Sequence, residues 1–265
     1  MEIFNYMKKI DLNTIQHNRK IGEECEYIDA NIFEDCIFYA DEEPIGFYLN
    51  KMPDKMCKLA DLANNEFLSD RVPKSKMNRG TEEQAKQKGL KWISQYSTII
   101  GSIAPKPHMK RAYANYSSVH SVKSAQTYIK AMMLLAKESE QLINKILPSQ
   151  YQKQIEMFSD VKDKWRFGKL FTSSISNFNI SAPFHRDNGN IQNCVNVIIC
   201  KRLNSKGGDL HIPDYNATIG QKDNSILVYP AWRNMHAVTP IIPTYDGGYR
   251  NSLIFYPLKA FKGLD

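Results

Sequence analysis

The sequence predicts an α+β chain, with helices concentrated in the first half and an all-β, sandwich- or barrel-like unit in the second. Three observations lead there. "AQTYIKAMMLLAKESEQLINKIL" (125–147) places Tyr128, Met132, Leu135, Ile143 and Ile146 near a 3.6-residue period. From residue 166 the texture changes to short β-branched or aromatic runs, such as "FTSSISNFNI", "NCVNVIICKRL", "NSILVYP" and "YRNSLIFYPL", separated by Gly, Asn, Asp and Pro. That spacing is typical of an all-β unit of about seven or eight strands. With 265 residues, 42% of them apolar, the chain can build a sizeable core. The two halves make either an α+β pair or one β core with a helical layer.

Taken in order, "CIFYA" and "IGFYL" within residues 1–50 predict short strands. "MCKLADLANNEFL" (56–68) has apolar residues at helical spacing and predicts a helix. Residues 69–120 contain Pro73, Gly80, Gly89, Gly101, Pro105 and Pro107, and predict loops around a short helix near 81–95. Ser124 is a candidate cap for the helix at 125–147, Pro148 a natural stop, and Met132 and Met133 candidate core.

Composition narrows the function classes. "MEIFNYMKKIDLNT" lacks the apolar segment and cleavage site of a signal peptide, and no long apolar run predicts a membrane span. Five scattered cysteines without a C-x-x-C pair argue against a disulfide framework or a zinc knuckle. A reducing, cytoplasmic compartment is expected, with the nucleus or a host cytoplasm as its eukaryotic or viral counterparts.

The net charge of +7 is unevenly spread. Residues 1–70 carry 7 basic and 15 acidic side chains, whereas residues 71–130 carry 12 and 2. Trp92, Tyr96, Tyr113 and Tyr116 are interleaved in this basic belt. Basic groups neutralise phosphates and aromatic rings stack on bases, so the belt is either a nucleic-acid surface or a solvated lysine-rich face.

The chemistry-bearing residues lie in the β half. His185 and Asp187 in "SAPFHRDNGN" are two apart, so in an extended segment they point the same way. His236 follows the apolar run "SILVYP", and Arg250 and Ser252 share a face of the last predicted strand. Two imidazoles and a carboxylate can occupy one face of an octahedral ion, the arrangement of non-haem Fe(II) oxygenases. An inward arginine fork binds a carboxylate, with a hydroxyl assisting. A lone His-x-Asp recurs by chance; the ordered set, with Gly207–Gly208 between its halves, is far more specific. His211 has no partner at metal spacing, and His17, His108 and His120 are isolated. Asn188 and Asn190 either touch a substrate or shape the turn, the turn role being the expected one.

Residues 166–257 resemble the double-stranded β-helix (jelly-roll, cupin-like) of Fe(II)/2-oxoglutarate-dependent dioxygenases. Within that superfamily they are most similar to the TET/JBP group, which oxidises pyrimidine methyl groups in DNA. The residues carrying the resemblance are His185, Asp187, Gly207, Gly208, Pro213, His236, Arg250 and Ser252. It implies one dioxygenase domain (1–265): a mixed helical and insert region (1–165) layered on a β-helix core (166–257). It implies a catalytic Fe(II) on His185, Asp187 and His236, with 2-oxoglutarate anchored by Arg250 and Ser252. O2 would be consumed, and succinate and CO2 would be the co-products. The substrate would be the methyl of 5-methylcytosine or thymine in DNA, flipped into the site. Arg79, Lys110 and Arg111 in the belt would contact the nucleic acid. The competing readings are a hydroxylase of a protein side chain or small molecule, and a non-catalytic nucleic-acid-binding β-helix.

Overall fold

The computed structural model describes residues 7–77, 82–87, 89, 92–106 and 111–265. In chain order the elements are β1 (Lys8–Asp11), β2 (Cys36–Ala40), β3 (Glu43–Leu49), α1 (Asp54–Leu68), β4 (Ser75–Lys76), α2 (Glu82–Gln87), β5 (Tyr96–Ile103) and β6 (Asn115–Tyr116). There follow α3 (Gln126–Ile146), α4 (Pro148–Met157), β7 (Ser173–Phe178), β8 (Ala182–His185), β9 (Asn196–Leu203) and β10 (Ser205–Gly207). The chain then forms β11 (Leu210–Ile212), β12 (Ala217–Ile219), β13 (Ser225–Tyr229), β14 (His236–Val238), β15 (Ile241–Pro243) and β16 (Tyr249–Tyr256).

The larger sheet has the order β1-β2-β3-β13-β9-β16-β7-β5-β4, with β6 on β5; the smaller has the order β12-β11-β14-β8. Side chains along a strand alternate between faces, and β13 shows the consequence. Ile226 and Val228 join α1 and α3 in one core, whereas Leu227 and Tyr229 join Leu210, Ile212 and Ile219 of the smaller sheet in another. The molecule is therefore three layers, helices on sheet on sheet, with strand alternation setting which side chain enters which core. This is the double-stranded β-helix with a helical layer that the resemblance implies.

The helices confirm the periodic reading and correct its ends. On α3, Tyr128, Met132, Leu135 and Ile143 are fully buried, while Met133 is exposed. Ser124 does not cap α3: its hydroxyl donates to the Arg71 carbonyl, and Ala125 stands at the cap. Pro148 ends α3 and also opens α4, because a proline at the first helical position needs no N–H partner. The helix expected near 81–95 is shorter, at Glu82–Gln87.

The first half is also less helical than the sequence suggests. The expected strands "CIFYA" and "IGFYL" are β2 and β3, which with β1 form one flank of the larger sheet, while β4, β5 and β6, which were not expected, form the other. β5 falls within the stretch expected to be loop. Its inner residues Ser97, Thr98 and Ser102 are polar, and they are buried because each hydroxyl or backbone group is partnered, Thr98 Oγ1 to Pro73 O (2.5 Å) and Ser102 Oγ to Trp165 O (3.0 Å).

Residues 12–35 cross the smaller sheet and pair with both of its edges. The Gly22 N–H donates to Phe184 O (2.7 Å) and the Phe184 N–H to Glu23 O (2.9 Å) on β8. Asn31 and Ile32 N–H groups both donate to Thr218 O on β12 (3.0 and 3.1 Å). Among the described residues no helix is long and apolar enough to cross a membrane.

Leu135→Ala is expected to cost about 2–5 kcal/mol in urea unfolding, because the cavity it leaves is walled by both sheet and helix side chains. Met133→Ala, on the outer face of the same helix, should change stability by less than about 0.5 kcal/mol.

Candidate metal centre

His185 closes β8, His236 opens β14, and the two are register partners across the smaller sheet. Their ring centroids are 4.4 Å apart. Asp187 leaves β8 with its N–H donating to Ala231 O (3.2 Å). One donor atom from each of the three residues lies within 4.8 Å of the others, and among the described residues no other such trio of His, Cys, Asp or Glu is found. The strand pairing brings the two histidines together, and Asp187 joins them from the loop that follows β8 rather than from the strand itself.

The local hydrogen bonds suit metal ligation. His185 Nδ1 donates to Pro183 O (2.8 Å) and His236 Nδ1 to Asn234 O (3.1 Å). A carbonyl only accepts, so both Nδ1 atoms carry the proton and both Nε2 lone pairs remain free. Burial pushes His236 below the usual histidine range, the adjacent His185 adds to this, and Asp187 opposes it. The neutral imidazole is the ligating form. Asp187 Oδ1 lies 3.6 Å from His185 Nε2, while Oδ2 accepts from Asn196 Nδ2 (3.0 Å) and Asn190 Nδ2 (3.3 Å).

The trio lines a cavity of about 330 Å³ together with Arg250, Ser252 and Gln221. Arg250 is 2% exposed. Its Nη1 donates to Ser252 Oγ (2.9 Å) and its Nη2 to Gln221 Oε1 (2.5 Å), but its Nε and the Gln221 Nε2 have no partner. No described carboxylate lies within ion-pair distance, and burial pulls the guanidinium below its ordinary range. A buried cation without a counter-ion is costly, and a carboxylate ligand would relieve it. Gly208 makes room for this side chain: its φ is +68°, and a Cβ there would overlap Arg250 Cδ and stand 2.8 Å from Ile241 Cγ1.

The remaining sequence candidates separate cleanly. Ser252 sits beside Arg250 as the shared strand face predicts. His211 bonds Thr218 Oγ1 (2.8 Å), His17 pairs with Asp214 (2.7 Å), and His120 accepts from the Gly101 N–H (2.8 Å). His17 and His120 are thus held by local partners rather than isolated, and His108 lies outside the described residues. Arg79 and Lys110 also lie outside them. Arg111 is half-buried, its backbone pairs with Lys106, and its Nε has no partner. Asn190 does shape the turn, its N–H donating to Asp187 O (2.9 Å), but its side chain reaches the Asp187 carboxylate as well. Sequence reasoning missed Gln221 and Asn196. The one signal for Asn196 is a polar residue opening the apolar run "NVIIC".

The model of the Tet_JBP oxygenase domain of the 2OGFeDO superfamily matches residues 101–259, more than half of the sequence. The chain belongs to this family. Membership makes the Tet_JBP chain an Fe(II)/2-oxoglutarate dioxygenase, and the donor set and the unpaired Arg250 fit an iron ion and a carboxylate co-substrate. Among solved structures, NgTET1 in complex with 5mC DNA is similar to it at 13% identity, covering 98% of this chain and 85% of that one with a TM-score of 0.61. A 2OG-Fe(II) oxygenase family oxidoreductase from Burkholderia pseudomallei is 14% identical over 74% of this chain and 78% of its own, with a TM-score of 0.41. OsALKBH1 is 12% identical over 81% and 97%, with a TM-score of 0.42. No curated protein matches the chain.

Gly208→Ala is expected to destabilise the fold by about 2–3 kcal/mol, through the left-handed backbone and the displaced Arg250 stem, as measured by chemical denaturation.

Proposed function

We propose that this Tet_JBP chain hydroxylates the 5-methyl group of a pyrimidine in DNA, 5-methylcytosine or thymine. The observation that carries the chemistry is a buried Arg250, with no ion-pair partner among the described residues and an unbonded Nε, in the same cavity as the His185–Asp187–His236 trio. In this reading His185 Nε2, His236 Nε2 and one Asp187 oxygen hold Fe(II). Arg250 binds the remote carboxylate of 2-oxoglutarate, with Ser252 beside it and the spare Gln221 amide donor available to a second carboxylate oxygen. Bound iron, 2-oxoglutarate and O2 together supply the oxidation of a C–H bond, with succinate and CO2 as co-products.

The chain's own residues bind, orient and exclude water. Side-chain exposure falls from 37% at His185 and 33% at Asp187 to 4% at His236 and 2% at Arg250 for the whole residues. A substrate therefore approaches from the His185–Asp187 side, while the co-substrate anchor lies deep. A methyl group inside a duplex cannot reach so enclosed a centre, so the base must leave the stack. Three things support DNA as the substrate: family membership, the likeness to a structure solved with 5mC DNA, and the basic, aromatic-bearing residues 71–130.

Incubation with Fe(II), 2-oxoglutarate, ascorbate and DNA containing 5-methylcytosine or thymine should yield a hydroxymethyl pyrimidine by nucleoside mass spectrometry. Asp187→Ala should abolish it. Succinate release with no modified nucleoside would move the substrate to a protein side chain or small molecule.

Arg250→Ala should raise the KM for 2-oxoglutarate about 100-fold, the equivalent of roughly 3 kcal/mol for a lost charge-assisted pair. An unchanged KM would place the anchor elsewhere.

A further inference from the structure

We propose that Asn196, with Asn190, fixes Asp187 so that a single carboxylate oxygen, Oδ1, is presented to the metal. The inference rests on the reading of His185, Asp187 and His236 as ligands. A free carboxylate has two equivalent oxygens and can ligate through either or both. Here they are made unequal. Oδ2 accepts from Asn196 Nδ2 (3.0 Å) and Asn190 Nδ2 (3.3 Å), while Oδ1 faces His185 Nε2 at 3.6 Å.

The two amides also set each other's orientation. Asn190 Nδ2 donates to Asn196 Oδ1 at 2.9 Å, so the oxygen of Asn196 is engaged and its nitrogen is what faces Asp187. Both residues are buried, at 4% and 3% exposure, where water cannot replace a lost bond. Both are neutral, so they satisfy Oδ2 without the positive charge that would weaken Asp187 as a ligand.

The clamp also joins the layers. Asn196 is the first residue of β9 in the larger sheet, in register with Tyr229 of β13, whereas Asp187 follows β8 of the smaller sheet. A ligand on one sheet is thus held by a donor from the other. Single-oxygen ligation leaves the remaining coordination positions for co-substrate and O2. Asn196 is a positioning residue in this scheme: it touches the ligand, not the metal.

The test is Co(II) titration of the full chain, read by affinity and by the visible absorption spectrum, which reports coordination number and geometry. Wild type should bind Co(II). Asn196→Leu, of similar volume, should stay folded by circular dichroism, bind Co(II) about 10–100-fold more weakly and show an altered spectrum. Asn190→Ala, which removes one donor outside any strand, should shift affinity in the same direction by a smaller factor. Folded Asn196→Leu protein with wild-type affinity and spectrum would overturn the clamp. If that variant does not fold, wild-type behaviour of Asn190→Ala would overturn it instead. Failure of wild type to bind Co(II) would fault the ligand assignment, which separates the two ideas.

Discussion

Each central strand of the larger sheet has to satisfy two interiors at once. One face of β9, β13 and β16 packs on α1 and α3 through Val197, Ile199, Ile226, Val228, Leu253 and Phe255. The other face carries Asn196, Tyr229, Arg250 and Ser252 toward the cavity that holds the His185–Asp187–His236 trio. Because the period is two residues, a slip of one would send Arg250 into the helical core and a leucine into the cavity. The registers that prevent this run the length of β16, which pairs with β9 on one side and β7 on the other. Arg250 opposite Arg202 and Ser252 opposite Cys200 follow from that ladder.

The same division explains what the sequence made legible. His185, His236 and the Arg-x-Ser pair sit on strands whose alternation carries them into one cavity, and Asp187 enters it from the loop two residues past His185. α1 and α3 were legible because their apolar stripes face a core. β5 was hidden because, apart from Ile100, its buried side chains are serine and threonine, which read as loop until their carbonyl partners are known. Gln221 was hidden for a similar reason: it follows a short strand, and only the fold brings it to Arg250. β2 and β3 were legible as the strands "CIFYA" and "IGFYL", but the place of β3 beside β13 is set by chain topology and by no local pattern.

The cavity sets a few polar groups in a largely apolar lining, at a cost that the surrounding network only partly offsets. Arg250 keeps two hydrogen bonds and no counter-ion, with the nearby Asp209 itself pushed above the usual carboxylate range by burial. Asp187 keeps two amide donors, and both histidines keep a carbonyl. The two histidines are oriented by these bonds with Nε2 left free, and Arg250 and Gln221 each keep an unpartnered nitrogen. A site built this way is preorganised, and it gains stability when filled.

The segment at residues 12–35 gives this architecture a boundary that family matching does not see. The matched interval begins at residue 101, but the residue immediately before His185 is bonded on both its N–H and C=O groups to residues 22 and 23, and the far edge of the same sheet is bonded to residues 31 and 32. A fragment trimmed to 101–259 would bare two strand edges with unpaired backbone groups, a template for pairing between chains. It would also remove β3 from beside β13 and most of β5 from beside β7, opening an edge on each of those strands. The catalytic unit therefore extends well before the matched interval: an acidic leading segment is part of the wall on which the first histidine hangs.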